Sequence, residues 1–171
     1  MNWTMTSPLA LMLSLMIAAP ALAKTEAAPE TPAPPTAPLW LISCSNQQNP
    51  DQLVCEFSQS IMLTELNQRV ATASFTRAVG HDETNAAFML PAGVSLPAGI
   101  AVSVDDAPVG ELTYQSCDAQ GCYATGSVDH AWLKAMRAGR QLVVGLTSRD
   151  GQAIRLVFQL DGFSKAESML P

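Results

Sequence analysis

Runs in which apolar and polar residues alternate limit the fold of this chain more than any other feature of its sequence. In residues 53–63, Leu53, Cys55, Phe57 and Ile61 lie at alternate positions and so share one face of a strand. Asp150-Gly151 stands between two further alternating runs. A period of two residues is that of a β-strand with one buried face, and Asp-Gly between such runs is typical of a hairpin turn. The sequence therefore predicts a mainly β protein.

Eight segments have this strand character, and two others predict short helices. The strand segments are residues 39–44, 53–63, 69–79, 88–90, 100–104, 109–115, 141–147 and 152–160. Asp129 is a natural N-cap for a helix over 130–138, and Gly139 is placed to end that helix. Residues 164–167 form a capping box before a final turn. We therefore expect a β-sandwich of about seven to eight strands with one or two short helices.

The amino terminus has the composition of an export signal. Residues 1–23 contain no charged side chain, and their apolar core is followed by Pro20 and by small residues at 21 and 23. This order predicts a signal peptide cleaved after Ala23, and the short apolar run disfavours an uncleaved anchor. Residues 24–38 contain five prolines and four alanines, which predicts a flexible, extended linker. A single folded domain then occupies residues 39–171.

Four cysteines, Cys44, Cys55, Cys117 and Cys122, add a covalent constraint. An even number of cysteines in an exported chain predicts disulfides, and four cysteines permit three connectivities. We favour the local pairs Cys44–Cys55 and Cys117–Cys122, because cysteines close in sequence meet most often during oxidation. The spacings, CX10C and CX4C, fit neither a zinc knuckle nor a thioredoxin-type CXXC motif. The sandwich is therefore expected to be disulfide-stapled.

The charge and hydrophobicity of the chain exclude two classes of protein. Nine Lys/Arg against fifteen Asp/Glu residues give a formal net charge of −6, which disfavours nucleic-acid binding because phosphates require a basic footprint. No apolar run after Ala23 approaches the roughly 20 residues of a membrane-spanning helix. We therefore expect no transmembrane segment after signal cleavage. The hydrophobic fraction of 48% is sufficient for a folded core.

Motifs that run in order along the domain provide a family resemblance. They are a tryptophan strand into Cys44, then Cys55, Leu90-Pro91-Ala92-Gly93-Val94, Leu96-Pro97-Ala98-Gly99-Ile100, Val104-Asp105-Asp106, Tyr114-Gln115-Ser116-Cys117, Gly121-Cys122, Gly151-Gln152 and Leu160-Asp161-Gly162-Phe163. With this set, residues 40–170 resemble the invasion-associated locus B (IalB) family of exported bacterial proteins. The LPxGVxLxxG block followed by CxxxGC is the specific part of the pattern.

The resemblance implies a single β-rich domain behind a signal peptide, with two cysteine pairs, located in the periplasm or at the outer membrane. The family takes its name from a member that assists entry of a pathogen into red blood cells, and relatives also occur in bacteria that invade nothing. The resemblance implies no set of catalytic residues. It does not explain the long proline-rich leader of this chain.

Residues that could support enzyme chemistry are few. The chain contains no GxSxG, HExxH, GxGxxG or P-loop motif. His81 with Asp82 would supply a base and its orienting carboxylate, but a polar turn after Gly80 is the favoured interpretation. His130 at the start of a helix is favoured as a surface or packing residue. We therefore expect no catalytic residues.

Metal binding is disfavoured on similar grounds. Asp105-Asp106, with Glu111 nearby, would offer carboxylates to a divalent ion. Adjacent carboxylates in a strand point to opposite faces, so a β-turn is the favoured interpretation. We expect no metal-binding or cofactor-binding residues, and no cofactor.

Lys134, Arg137 and Arg140 form the only basic cluster of the sequence. On a helix, Lys134 and Arg137 share a face, and cations near a helix C-terminus complement its macrodipole. A solvated helix face is the favoured interpretation, and an anionic partner such as lipid headgroups is the alternative. These three residues are the candidate interaction residues of the sequence.

Taken together, these features favour a non-enzymatic exported protein that binds an envelope protein or another cell-surface component. Two alternatives stay open: a periplasmic hydrolase with His81 or His130 in an unrecognised site, and a host-facing invasion factor. The expected location is the periplasm, with association to the outer membrane as a variant. The sequence identifies neither the partner nor the oligomeric state.

Overall fold

The computed structural model describes residues 39–47 and 49–171. The predicted signal peptide and linker, residues 1–38, lie outside the described residues. The strands are β1 (Leu41–Ser45), β2 (Val54–Leu63), β3 (Gln68–Ala78), β4 (Thr84–Leu90), β5 (Ile100–Val104), β6 (Ala107–Leu112), β7 (Tyr114–Cys117), β8 (Cys122–Val128), β9 (Gln141–Thr147) and β10 (Ala153–Gln159). The helices are α1 (His130–Ala138) and α2 (Phe163–Glu167), and a 3-10 turn covers Leu96–Ala98.

The strands form two antiparallel sheets. The larger sheet has the order β1-β2-β3-β4-β8-β7, and the smaller has the order β10-β9-β5-β6. Alternate residues of both sheets point into a common core, as the burial patterns of β2, β4 and β5 show. The predicted fold class, a mainly β sandwich with short helices and disulfides, is confirmed.

The described residues contain ten strands, more than the predicted seven to eight, because one predicted strand is divided in two and one strand was not predicted. The predicted strand over 109–115 is two strands, β6 and β7, which belong to different sheets. The next strand, β8, escaped prediction because its inward positions include Ala124 and Gly126, whose small size gives little hydrophobic alternation. Gly126 lies close to Leu112, whose side chain would have to move if a Cβ were present at position 126.

An aromatic cluster joins the first and last described elements. Trp40, Phe57, Phe75 and Phe163 are at most 4% exposed. The ring of Phe163 lies 5.3–5.7 Å, centroid to centroid, from the other three rings. Most of these pairs meet edge to face, an arrangement that contributes beyond simple burial. The cluster therefore fixes the residue before β1 and the C-terminal helix to the same sheet.

Two disulfides each join neighbouring antiparallel strands. Cys44 of β1 is bonded to Cys55 of β2, directly opposite it in the ladder. Cys117 of β7 is bonded to Cys122 of β8, also directly opposite. No free cysteine is found in the part of the chain that the structure describes. Each bridge therefore attaches an outermost strand of the larger sheet to its only neighbour.

The helices follow the sequence signals in part. α1 begins as predicted, because the Asp129 carboxylate accepts a hydrogen bond from the Trp132 N–H at 2.7 Å. α1 ends at Gly139 as predicted, but Gly139 has an extended backbone, with φ −85°, rather than the left-handed conformation typical of a C′ glycine; a Cβ there would collide with Val104. The predicted capping box is wrong, since Gly162 precedes α2 and provides no side-chain cap. Neither helix, nor any other helix among the described residues, is long and apolar enough to cross a membrane.

Candidate functional site

The two histidines occupy separate surface positions. His81 lies in the exposed segment between β3 and β4, where its Nε2 is 3.2 Å from Nε2 of Gln52. His130 is the exposed first residue of α1. Neither histidine has an ion pair with a carboxylate among the described residues. In that same part of the chain, no three His, Cys, Asp or Glu side chains are grouped to hold a metal ion.

Asp105 and Asp106 form the turn between β5 and β6. Both have positive φ angles, 47° and 68°, which suits a tight hairpin turn. The Asp105 carboxylate accepts hydrogen bonds from the backbone N–H groups of Arg140 and Gln141, each at 3.0 Å. Asp106 pairs with Arg155 at 2.5 Å. These carboxylates therefore hold loops together, as the favoured β-turn interpretation expects.

The three candidate interaction residues have different surroundings. Lys134 is exposed on α1, and Arg140 is exposed beside Asp105 and Asp161, which line the same surface cavity. Arg137 donates two hydrogen bonds to the Glu167 carboxylate, at 2.6 Å and 2.5 Å. This bonding raises the pKa of Arg137 above its ordinary value. Arg137 is therefore already paired with a carboxylate, and the assignment of the three residues to an interaction surface stays a prediction.

Glu167 is the centre of a buried polar network that the sequence did not reveal. Its side chain is 6% exposed and lies 3.6 Å from Arg77 of β3 as well as against Arg137. Arg77 in turn donates two hydrogen bonds to the Thr84 hydroxyl, at 3.1 Å and 2.8 Å. A buried carboxylate is tolerated when cations and hydrogen bonds compensate its desolvation. The network joins α1 and α2 to the β3–β4 hairpin and has a structural role.

Tyr114 and Tyr123 sit on the two strands next to the second disulfide. Burial raises the pKa of Tyr114, whose buried hydroxyl has no hydrogen-bond partner. Desolvation and a hydrogen bond to Asp118 raise the pKa of Tyr123. Both phenols therefore stay protonated at neutral pH, which does not suit a general base.

A surface cavity of about 770 Å³ lies over the outer face of β5 and β6. Its charged lining consists of Asp106, Glu111 and Arg155. Asp106 and Arg155 are already paired with each other, and both side chains are more than half exposed, at 75% and 63%. The lining contains Ser103 but no histidine or lysine that would activate its hydroxyl. The cavity therefore lacks the paired groups of a hydrolytic site.

A second feature of the surface is an apolar hairpin tip, residues 61–71, which comprises the end of β2, the connecting turn and the start of β3. β1 pairs with β2 only as far as Ser58, and β4 pairs with β3 only from Thr72 onward. The tip is therefore a two-stranded extension of the sheet. It carries three large exposed apolar side chains, namely Met62 at 47%, Leu63 at 45% and Leu66 at 68%. Its only charged residues, Glu65 and Arg69, have opposite signs.

The hairpin tip was missed because its residues continue an ordinary strand pattern. Met62 and Leu63 fall inside the predicted strand, and only Leu66 stands where a polar turn residue is expected. The base of the tip is packed into the core, since Ala71 is fully buried and Ile61 packs against the core. Met62 and Leu63 are adjacent in β2 and therefore point to opposite faces of the hairpin, so the tip exposes apolar side chains on both faces. Exposed apolar surface of this kind is typical of interaction sites.

The geometry defines a disulfide-stapled, two-sheet β domain with exposed apolar side chains at one hairpin. The sequence profile of the family described as Invasion associated locus B (IalB) protein matches residues 40–171. The chain belongs to this family, and the resemblance found in the sequence is confirmed.

Similar proteins support the family assignment. Two invasion protein B homologs, from Brucella abortus strain 2308 and Brucella abortus biovar 1 strain 9-941, are each 29% identical over 128 residues. Those matches cover 74% of this chain and 72% of each relative. The crystal structure of invasion associated protein b from Bartonella henselae matches with a TM-score of 0.68 and 24% identity, over 78% of this chain and 90% of that one. At this identity the structural match shows the shared fold.

Proposed function

We propose that this protein is an exported, non-enzymatic binding module of the bacterial envelope, and that its hairpin tip contacts the partner. The observation that carries the proposal is the exposure of Met62, Leu63 and Leu66 within five positions of one protruding hairpin. Water-exposed aliphatic side chains gain free energy when a partner covers them. With each side chain about half exposed, full burial contributes about 1 kcal/mol per residue.

The experiment compares two triple variants of the same chain. In the first, Met62, Leu63 and Leu66 become Ser; in the control, three other exposed apolar residues, Leu96, Val157 and Met169, become Ser. Each protein is tagged, crosslinked in cells and purified, and co-purifying envelope proteins are quantified by mass spectrometry. Loss of about 3 kcal/mol weakens binding about 100-fold, so the tip variant should lose its partner and the control should keep it. Equal recovery with both variants contradicts the proposal.

The location belongs to the same proposal. Residues 1–23 would direct export and residues 24–38 would serve as a spacer, placing the domain in the periplasm or at the outer membrane. Amino-terminal sequencing of the protein from fractionated cells tests this. A mature chain that begins at Lys24 in the periplasmic or outer-membrane fraction supports it, whereas an intact Met1 in the cytoplasmic fraction contradicts it.

A host-facing role in invasion is a second candidate, favoured by the names of the Brucella and Bartonella relatives. Protease treatment of intact cells separates it from a strictly periplasmic role. Digestion of the protein on intact cells supports the host-facing role, and protection until the outer membrane is opened supports the periplasmic one.

The non-enzymatic part of the proposal has its own test. His81 and His130 are the two candidate bases, and both are exposed, so Ala at both positions leaves the core intact. The double variant should support the same cellular phenotype as the natural chain. A lost phenotype with an unchanged melting curve contradicts the proposal and favours the hydrolase.

A further inference from the structure

The two sheets have four outermost strands, β1, β7, β10 and β6, and these differ in how they are protected. An outermost strand has unpaired backbone N–H and C=O groups on one side, and it pairs readily with another strand unless something prevents this. Proline, charged side chains, bulges, short length or a covering element are the usual forms of protection.

Three of the four outermost strands have such protection. β6 contains Pro108 and Glu111, and the Trp132 ring of α1 lies against its Gly110. β7 has four residues and pairs irregularly with β8. On β10, the side chain of Gln59 makes two hydrogen bonds to the backbone of Gln159. It donates to the C=O at 2.9 Å and accepts from the N–H at 2.8 Å.

Among the described residues, β1 has no proline, charged side chain, bulge or covering element, and its five residues make it one residue longer than β7. All five of its residues are exposed, with Leu41 at 66% and Ile42 at 40%. The strand contains no proline and no charged residue, and its pairing with β2 has no register shift. The Cys44–Cys55 disulfide holds it on the sheet, so it cannot avoid exposure by detaching. β1 is therefore an open strand edge with apolar side chains.

We propose that β1 pairs with β1 of a second copy of this chain, so that the two larger sheets join across a two-fold axis. The charge distribution favours a second copy as the occupant. The chain has a net charge of −6, yet residues 39–50 contain no charged side chain, so two copies can approach along this edge without opposing charges. A two-fold interface uses the same surface on both copies.

The antiparallel register of two identical five-residue strands is centred on Ser43. Leu41 of one copy then faces Ser45 of the other, and Ile42 faces Cys44. No large side chain faces its own copy, so the pairing is free of steric conflict. Because the shared strands are short, the dimer should depend on concentration. This interface is separate from the hairpin tip, and its test is independent of the proposed function.

The chain is expressed from its full coding sequence and purified in the form that the cells accumulate. Its sedimentation is then measured from micromolar to millimolar concentration. The natural chain should shift from monomer to dimer. Two variants then exploit the register: one with L41K and S45K, the other with L41E and S45E. Each alone places like charges opposite each other and should stay monomeric, whereas an equimolar mixture places Lys opposite Glu and should dimerise.

A control variant with A153K and V157K carries the same added charge at the same spacing on β10, and it should dimerise like the natural chain. Recovery of the dimer on mixing also shows that both β1 variants are folded, since unfolded chains would not restore it. A natural chain that stays monomeric throughout overturns the proposal. So does a dimer that survives the β1 charges, or one that the β10 control dissociates equally.

Discussion

Phe163 shows how one side chain attaches a whole element. It begins α2, is fully buried, and packs against rings from β2, β3 and the residue before β1. Replacement by Ala leaves a cavity among aromatic rings, and we expect a loss of about 3–5 kcal/mol in the free energy of unfolding. Denaturant titration measures this, with Met169→Ala as the control because Met169 is 55% exposed. An unchanged midpoint for Phe163→Ala would show that α2 is not docked.

Glu167 is the second residue whose effect exceeds its size. Glu167→Gln keeps the shape of the side chain but removes the charge that compensates Arg77 and Arg137. We expect a loss of about 2 kcal/mol in the free energy of unfolding, less than for a fully buried pair because Arg137 is partly exposed. Glu65→Gln, on the exposed hairpin tip, is the matched control. Equal stability of the two variants would contradict a structural role for the network.

The role of Glu167 could not be predicted from its local sequence. Its local context, Ser164 three residues earlier, resembles a capping box. The carboxylate instead binds Arg137, 30 residues away in sequence, because α1 and α2 pack together. Tertiary packing decides which group Glu167 binds, and a single sequence does not contain that information.

At the scale of elements, the strands predicted well are those with large alternating side chains. β2, β3, β9 and β10 lie within two residues of their predicted bounds. The region from β6 to β8 was predicted poorly because the chain changes sheets at Thr113 without a Gly or Pro signal. Strand existence follows from local periodicity, whereas the sheet to which a strand belongs follows from long-range pairing.

The two disulfides should differ in their contribution to stability. The sequence separations are 11 and 5, so chain entropy assigns about 2.8 kcal/mol to Cys44–Cys55 and about 2.1 kcal/mol to Cys117–Cys122. We expect the variant with Ala at 44 and 55 to lose hydrogen-exchange protection in β1 first, because β1 has one neighbouring strand. The variant with Ala at 117 and 122 is the control. Unchanged hydrogen-exchange protection of β1 in the variant with Ala at 44 and 55 would contradict this expectation.

The apolar hairpin tip shows the same difference between what local sequence predicts and what long-range pairing decides. The sequence shows that Met62, Leu63 and Leu66 are apolar, which alone predicts a buried strand end. Their exposure arises because β1 and β4 both stop short of the tip, a property of strand lengths in the assembled sheet. Candidate interaction residues chosen by charge alone pointed instead to Arg137, which the fold uses internally.

At the scale of the whole molecule, the features separate into those that hold the domain and those left for a partner. The aromatic cluster and the Glu167 network join the described chain ends to the larger sheet, and the two disulfides hold the outermost strands of that sheet. Of the eleven large apolar residues that are exposed among the described residues, three lie on the hairpin tip and three at or just before β1, namely Leu39, Leu41 and Ile42. Exposed apolar side chains at separate edges of the domain are typical of interaction surfaces.

The most direct test of this account is a photo-crosslinking amino acid placed at Leu66 of the hairpin tip in living cells. The matched control is the same amino acid at Leu96, which is 49% exposed on a different element. The account predicts a discrete crosslinked partner from position 66 and none from position 96. Crosslinks of equal yield from both positions, or none from position 66 in cells that show the protein's phenotype, would contradict it.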